Sequence, residues 1–251
     1  MESVQKNTFD AIVIGSGISG GWAAKELCEA GLKTLVLERG RDVKHVKDYP
    51  TAMKDPWEFS HGNKIPKREA NPIVSKCYAY DAGTEQFFVK DEKHPYVQEK
   101  PFDWIRGYQV GGKSLIWARQ TQRWSQYEFD APKRDGYAVE WPISYQDLAP
   151  FYTQVEKFVG ISGNYDGIPS LPDGHFLKPW ELNCVEKHVQ SRVKEFYKGN
   201  RHVIIGRCAH LTSPEPQHIE QGRGQCQARN LCYRGCPYGA YFSSNSSTLP
   251  W

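Results

Sequence analysis

The chain has 251 residues, 39% of them hydrophobic and 24% charged, and 32 basic against 29 acidic side chains leave a net charge of +3. That length holds one large or two small domains with ample core. Basic and acidic residues are interspersed, so no electrostatic footprint of a nucleic-acid binder is present, and no apolar run approaches the roughly 20 residues of a membrane span.

The first strand is expected over Ala11–Ile14, a short buried apolar run between Asp10 and Gly15. It begins so early that no signal peptide fits ahead of it, and the chain is not expected to carry its own export address. Gly15, Gly17 and Gly20 follow with the spacing G-x-G-x-x-G. From Ser19 to Ala30 the pattern Trp22, Ala23, Leu27, Ala30 predicts a helix, with Gly31 as its C-cap. A second strand is expected over Thr34–Leu37, ending on Glu38 with Arg39 beside it.

Each part of this unit has a physical task. Gly15 makes the tight turn, Gly17 lets backbone approach a pyrophosphate, and Gly20 lets helix and strand pack closely, while the helix N-terminus offers free N–H groups. Glu38 stands 18 residues past Gly20, close to the spacing of about 20 at which a carboxylate accepts hydrogen bonds from a ribose. The unit therefore predicts dinucleotide binding. Glu38 argues against a 2′-phosphate, hence against NADP, but an adenosine ribose is the same in FAD and NAD.

Residues 41–103 are polar, rich in Pro and aromatic side chains, and read as a loop-rich excursion with a few short strands such as Gln86–Val89. A second glycine turn follows at Gly111 and Gly112, before Lys113 and Ser114. By spacing alone it is a backbone-approach site or an ordinary turn. Over Trp141–Gly163, Ser144 with Asp147 forms a capping pattern, and Leu148, Phe151, Tyr152, Val155 and Phe158 repeat at helical spacing up to Gly160. A further helix is expected over Cys184–Phe196, with Val185, Val189 and Val193 on one face, and a strand over Val203–Ile205. His188, His202, His210 and His218 are scattered singly and receive no role.

Seven cysteines is an odd number, and without a secretory leader a disulfide framework is disfavoured. Three of them, Cys226, Cys232 and Cys236, form a C-x5-C-x3-C-P box among Gly222, Gly224, Gly235 and Gly239, with Arg229 and Arg234 interspersed. Zinc would need a fourth ligand, for which His218 and Cys208 are the near candidates. An iron–sulfur cluster suits thiolates in a basic, glycine-rich loop that ends in Cys-Pro. From spacing alone both metals stay open.

Together these segments resemble the glucose-methanol-choline oxidoreductase superfamily. The Gly111-Gly112-Lys113-Ser114 turn resembles its second FAD-contacting stretch, and the WPIS-x-x-D-L-x-P-F-Y run from Trp141 to Tyr152 resembles a structural helix that serves as a fingerprint. The cysteine box is similar to that of bacterial FAD-dependent sugar dehydrogenases, the catalytic subunits of glucose, fructose, gluconate and glucoside 3-dehydrogenases. The resemblance implies an α/β fold: an FAD/NAD(P)-binding Rossmann-like domain with an interleaved substrate domain, incomplete at the C-terminus. On this reading residues 1–125 are the FAD-binding domain, and residues 126–251 begin the substrate domain and carry the box at 222–239. It implies Gly15, Gly17, Gly20, Glu38, Arg39, Gly111, Gly112 and Ser114 as cofactor residues, and Cys226, Cys232 and Cys236 as ligands of a cluster with three irons and four sulfurs.

The resemblance further implies oxidation of a CH–OH group of a sugar or glycoside by FAD, with electrons leaving to a cytochrome or quinone. Family members continue well past the Ser243–Pro250 segment, and their catalytic histidine lies near the far C-terminus. The chain is therefore expected to be an N-terminal part without the base, inactive alone, so no catalytic residue is assigned in it. A small signal-bearing partner subunit would co-export it to the periplasm; otherwise it stays in the cytoplasm. Two other classes are an NAD-dependent Rossmann enzyme with a structural zinc knuckle and a non-catalytic binding module.

Overall fold

The computed structural model describes residues 8–63 and 71–251. Strands β1 (Ala11–Ile14) and β2 (Thr34–Leu37) pair in parallel, with Ala11 opposite Thr34 and Ile14 opposite Leu37. Helix α1 (Ile18–Glu29) connects them. It begins one residue before the expected start, with Gly17 as an extended N-cap, and its C-cap is Ala30 rather than Gly31. Gly31 follows at φ +82° and donates its N–H to the Cys28 carbonyl, the left-handed step that a glycine takes without a Cβ penalty.

The expectation of a buried first strand is corrected. Val13 is buried, but Ile12 and Ile14 are 60% and 85% exposed. Alternate residues of a strand point to opposite faces, and a Cβ on Gly20 of α1 would stand 3.4 Å from Val13 Cγ1. Helix α1 thus covers the Val13 face, and among the described residues the sheet has only these two strands.

Among the described residues the excursion is built of turns rather than strands. Short 3-10 segments occupy Pro56–Glu58, Ser60–Asn63, Val74–Lys76 and Glu85–Phe87. Gln86–Val89 is therefore not a strand: Phe87, Phe88 and Val89 are all buried in succession, whereas a half-buried strand alternates. These turns supply the main core, where Val43, Tyr49, Val74, Tyr80, Phe87 and Phe88 pack with Leu115 and Ile116. Tyr49 meets Phe87 edge-on and Tyr80 meets Phe88 likewise, an arrangement that ring quadrupoles favour.

The chain forms two compact units, one running to Ala118 and completed by Ala228–Trp251, the other Arg119–Gln227. Residues 228–251, which the sequence reading kept with the second domain, belong here to the first unit. The second unit carries α2 (Gln126–Phe129), α3 (Ala131–Asp135), α4 (Tyr145–Val159), α5 (Cys184–Phe196) and α6 (Pro216–Glu220). The α4 cap is as read, Ser144 Oγ accepting from the Asp147 N–H while Asp147 accepts the Ser144 N–H at 2.8 Å; Gly160 ends the helix at φ +77°. Helix α5 has the expected bounds, with Asn183 capping Val185 and Glu186. Val203–Ile205 is irregular, not a strand; the Val203 carbonyl accepts from Gln190 Nε2 at 2.6 Å, so a side chain takes the place of a neighbouring strand. Inside this unit the buried Arg123 pairs with Glu156 at 2.6 Å, and the buried Arg207 pairs with Asp173 at 2.7 Å.

Candidate cofactor site

The site grows from the turn between β1 and α1. Gly15 takes φ +94° and donates its N–H to the Leu37 carbonyl at 2.7 Å, which ties the turn to the end of β2. Gly20 packs so closely that a Cβ there would overlap the Gly15 carbonyl oxygen. At Gly15 and Gly17 the opposite holds, because no atom stands within 4 Å of where a Cβ would be. The first turn of α1 leaves N–H groups without intrahelical partners, at the positive end of the helix dipole. Backbone donors beside open space fit a pyrophosphate.

Glu38 lies at the end of β2, against this turn. Its Oε2 accepts from the Ser16 N–H at 3.0 Å and from Ser16 Oγ at 2.6 Å, and its Oε1 accepts from the Gly40 N–H at 2.8 Å. Partial burial works against its charge, but the bonds from Ser16 and Gly40 outweigh it and hold the Glu38 carboxyl below the usual range. Arg39 reaches Glu38 through its backbone, while its guanidinium lies over the Tyr108 ring, 3.9 Å from the centroid, a cation–π contact.

The second glycine turn meets the first. Gly111, at φ +84°, donates its N–H to Ser16 Oγ at 3.0 Å, and a Cβ on Gly112 would stand 3.4 Å from Gly17 Cα. Ser114 is fully buried. Its Oγ donates to the Gly111 carbonyl at 2.6 Å and accepts from the Ser244 N–H at 3.0 Å, so Ser114 holds the turn from behind. Gly15, Gly17, Gly20, Glu38, Gly111 and Gly112 are thus brought to one place, with Arg39 on its Tyr108 side.

Two participants were not singled out by the sequence reading. Ser16 joins both turns to Glu38. Asn245, in a buried polar run over Ser243–Thr248, donates Nδ2 to the Val43 carbonyl at 2.7 Å and the Val110 carbonyl at 3.0 Å. The available signal was composition, a run of small polar residues, of which Ser244 Oγ, Asn245 Oδ1 and Thr248 Oγ1 are buried with no hydrogen-bond partner among the described residues.

The cysteine box is spread over both units. Cys226 lies in the second, its N–H donating to the Leu211 carbonyl at 2.8 Å, while Cys232 and Cys236 lie in the first. Cys236 neighbours Tyr49, whose phenol is pushed well up by burial and then by that thiol. All seven cysteines are free thiols, and among the described residues no three His, Cys, Asp or Glu side chains gather into a metal-holding group. His210 is pushed down to about 4 by burial and the nearby Arg119, and His218 is hydrogen-bonded at both ring nitrogens, to the Glu215 N–H and the Lys157 carbonyl. No helix of the described residues is long and apolar enough to cross a membrane.

No family model matches the chain. Among curated proteins it is similar to the fructose dehydrogenase large subunit of Gluconobacter japonicus, 26% identical over 249 residues, spanning 93% of this chain and 41% of that protein. The gluconate 2-dehydrogenase flavoprotein of Pantoea cypripedii is 31% identical over 169 residues, 62% of this chain and 26% of that protein. A cholesterol oxidase of Acinetobacter baumannii is 24% identical over 242 residues, 95% and 37% of the two chains. These relatives are members of the glucose-methanol-choline oxidoreductase family, to which the chain is similar over most of its length. The chain spans less than half the length of these three relatives. An α/β arrangement with a parallel strand pair around a glycine turn accords with that family.

Proposed function

We propose that this chain supplies the FAD-binding part of a dehydrogenase that oxidises a CH–OH group of a sugar or glycoside. The observation that carries the reading is the meeting of two glycine turns and an ionised carboxylate around Ser16, beside open backbone at Gly15 and Gly17. The named activities of the fructose and gluconate relatives support the substrate class. When bound, FAD supplies the hydride acceptor for such an oxidation. The N–H groups at Gly17–Gly20 would hold its pyrophosphate, Glu38 its ribose hydroxyls, and the Gly111–Gly112 backbone would stand beside the remainder of the cofactor. No residue of this chain is assigned as the general base.

The finer part of the proposal is that Cys226, Cys232 and Cys236 bind an iron–sulfur cluster, with three irons and four sulfurs, that passes electrons singly to a cytochrome or quinone. The support is the donor set itself: three cysteines within one glycine-rich, arginine-containing stretch of sequence that closes on Cys-Pro. The test of both parts is analysis of the whole purified protein. Released FAD, iron in place of zinc, and sugar-dependent dye reduction are expected; released NAD, or zinc without iron, would overturn the corresponding part.

A further inference from the structure

Resting on the reading of an FAD site, we propose that Ser16 is its positioning residue, the one side chain that aligns the ribose carboxylate and locks the second glycine turn against the first. A serine hydroxyl has one O–H to donate and two lone pairs to accept with. Glu38 Oε2 at 2.6 Å is an ionised acceptor and takes the O–H, and the Gly111 N–H at 3.0 Å takes a lone pair. The direction of the chain is therefore fixed: Gly111 N–H to Ser16 Oγ–H to Glu38 Oε2. Bonds in such a series polarise one another, and the one ending on a carboxylate is the strongest.

The same geometry pins one peptide group from both sides. The Val110 carbonyl accepts from Asn245 Nδ2 at 3.0 Å, and the N–H of that same peptide, on Gly111, is held by Ser16. Its plane is thereby set with Gly111 at φ +84°, and Gly112 is brought against Gly17. On the carboxylate, Ser16 places two bonds on Oε2 while the Gly40 N–H reaches Oε1 and the Arg39 backbone adds a further donor. No cation forms an ion pair with Glu38 among the described residues, and the adjacent Arg39 is engaged by Tyr108. Ser16 and the backbone donors are the groups that orient it. A carboxylate oriented before the ribose arrives loses less freedom on binding.

The consequence of removing the hydroxyl is specific. Ser16→Ala retains the backbone N–H to Glu38 but frees the carboxylate to rotate, and it leaves the Gly111 N–H without its acceptor. Having to order the freed carboxylate on binding corresponds to FAD affinity about tenfold weaker.

The test uses carbon-13 and nitrogen-15 NMR of the flavin-free protein together with FAD titration. In the wild type, the Gly111 amide shift is expected to follow the titration of the Glu38 carboxyl with the same midpoint, since the two are joined through one hydroxyl. In Ser16→Ala that link disappears, the Glu38 midpoint rises, and FAD binds about tenfold more weakly. A Gly111 amide indifferent to Glu38 in the wild type would overturn the proposal without any variant. So would a Ser16→Ala protein that melts earlier but keeps the Glu38 midpoint and FAD affinity, which is the pattern of a merely structural serine. A wild type that binds no FAD while Gly111 and Glu38 still titrate together would instead overturn the cofactor reading.

Discussion

Gly17 and Gly20 lie three residues apart, and the structure gives alanine opposite consequences at the two. At Gly17 no atom stands within 4 Å of a Cβ, and φ is −67°, a value any L-residue adopts. Gly17→Ala should therefore shift stability by no more than about 1 kcal/mol, the scale of replacing an N-cap glycine. The space the methyl fills is the space a phosphate must enter to reach the N–H groups of the turn. Losing two charge-assisted bonds at roughly 1.5 kcal/mol each costs about 3 kcal/mol, a roughly hundredfold loss of FAD affinity. At Gly20 the Cβ would overlap the Gly15 carbonyl oxygen, which is backbone and cannot swing aside, so Gly20→Ala should cost about 1–3 kcal/mol of stability as well as binding. Thermal melting and flavin-fluorescence titration of the two variants separate these effects. A Gly17→Ala protein with wild-type FAD affinity would refute the assignment of the turn to the pyrophosphate.

Glu38→Gln should weaken FAD binding by roughly tenfold to a hundredfold, since Gln cannot accept every bond the carboxylate takes from Ser16 and Gly40; an unchanged affinity in the same titration would count against it. Because the Glu38 carboxyl is depressed in the folded chain, its share of stability is fully present above the unfolded carboxyl value of about 4.3 and is lost as pH falls through the lower folded value. Melting temperatures of wild type and Glu38→Gln should accordingly differ most above the unfolded value and converge only once pH has fallen below the lower folded value. Glu156→Ala leaves Arg123 buried without its carboxylate and also removes the acceptor of the His175 N–H, so the second unit should lose about 3 kcal/mol or more in a denaturant melt. Cys232→Ser should leave reduction of the flavin by sugar largely intact while slowing transfer to a one-electron acceptor; an unchanged acceptor rate would remove Cys232 from the electron path.

The parts of the fold legible in the sequence are those whose signals are local. The β1-α1-β2 unit, the α4 cap at Ser144 and the whole of α5 are written in glycine placement, side-chain caps and apolar period, all within a few residues of the feature they specify. The 41–103 segment was opaque because its core is made by turns: Phe87 and Phe88 are buried side by side, and no period marks that. Val203–Ile205 has the composition of a strand, but pairing requires a neighbour, and the Val203 carbonyl meets Gln190 instead. At the site, the glycines and Glu38 carry their own spacing, whereas Ser16 acts through a bond to Gly111, 95 residues away. A hydroxyl in a glycine turn has no sequence signal for such a partner, and neither does Asn245, whose two acceptors come from separate loops.

The central claim is that the turn at Gly15–Gly20, with Glu38 and Gly111–Gly112, holds FAD. It is tested most directly by denaturing the whole purified protein and identifying what is released. One FAD per chain, lost in Gly17→Ala, is the expected result. Release of NAD, or FAD retained in full by Gly17→Ala, would contradict it.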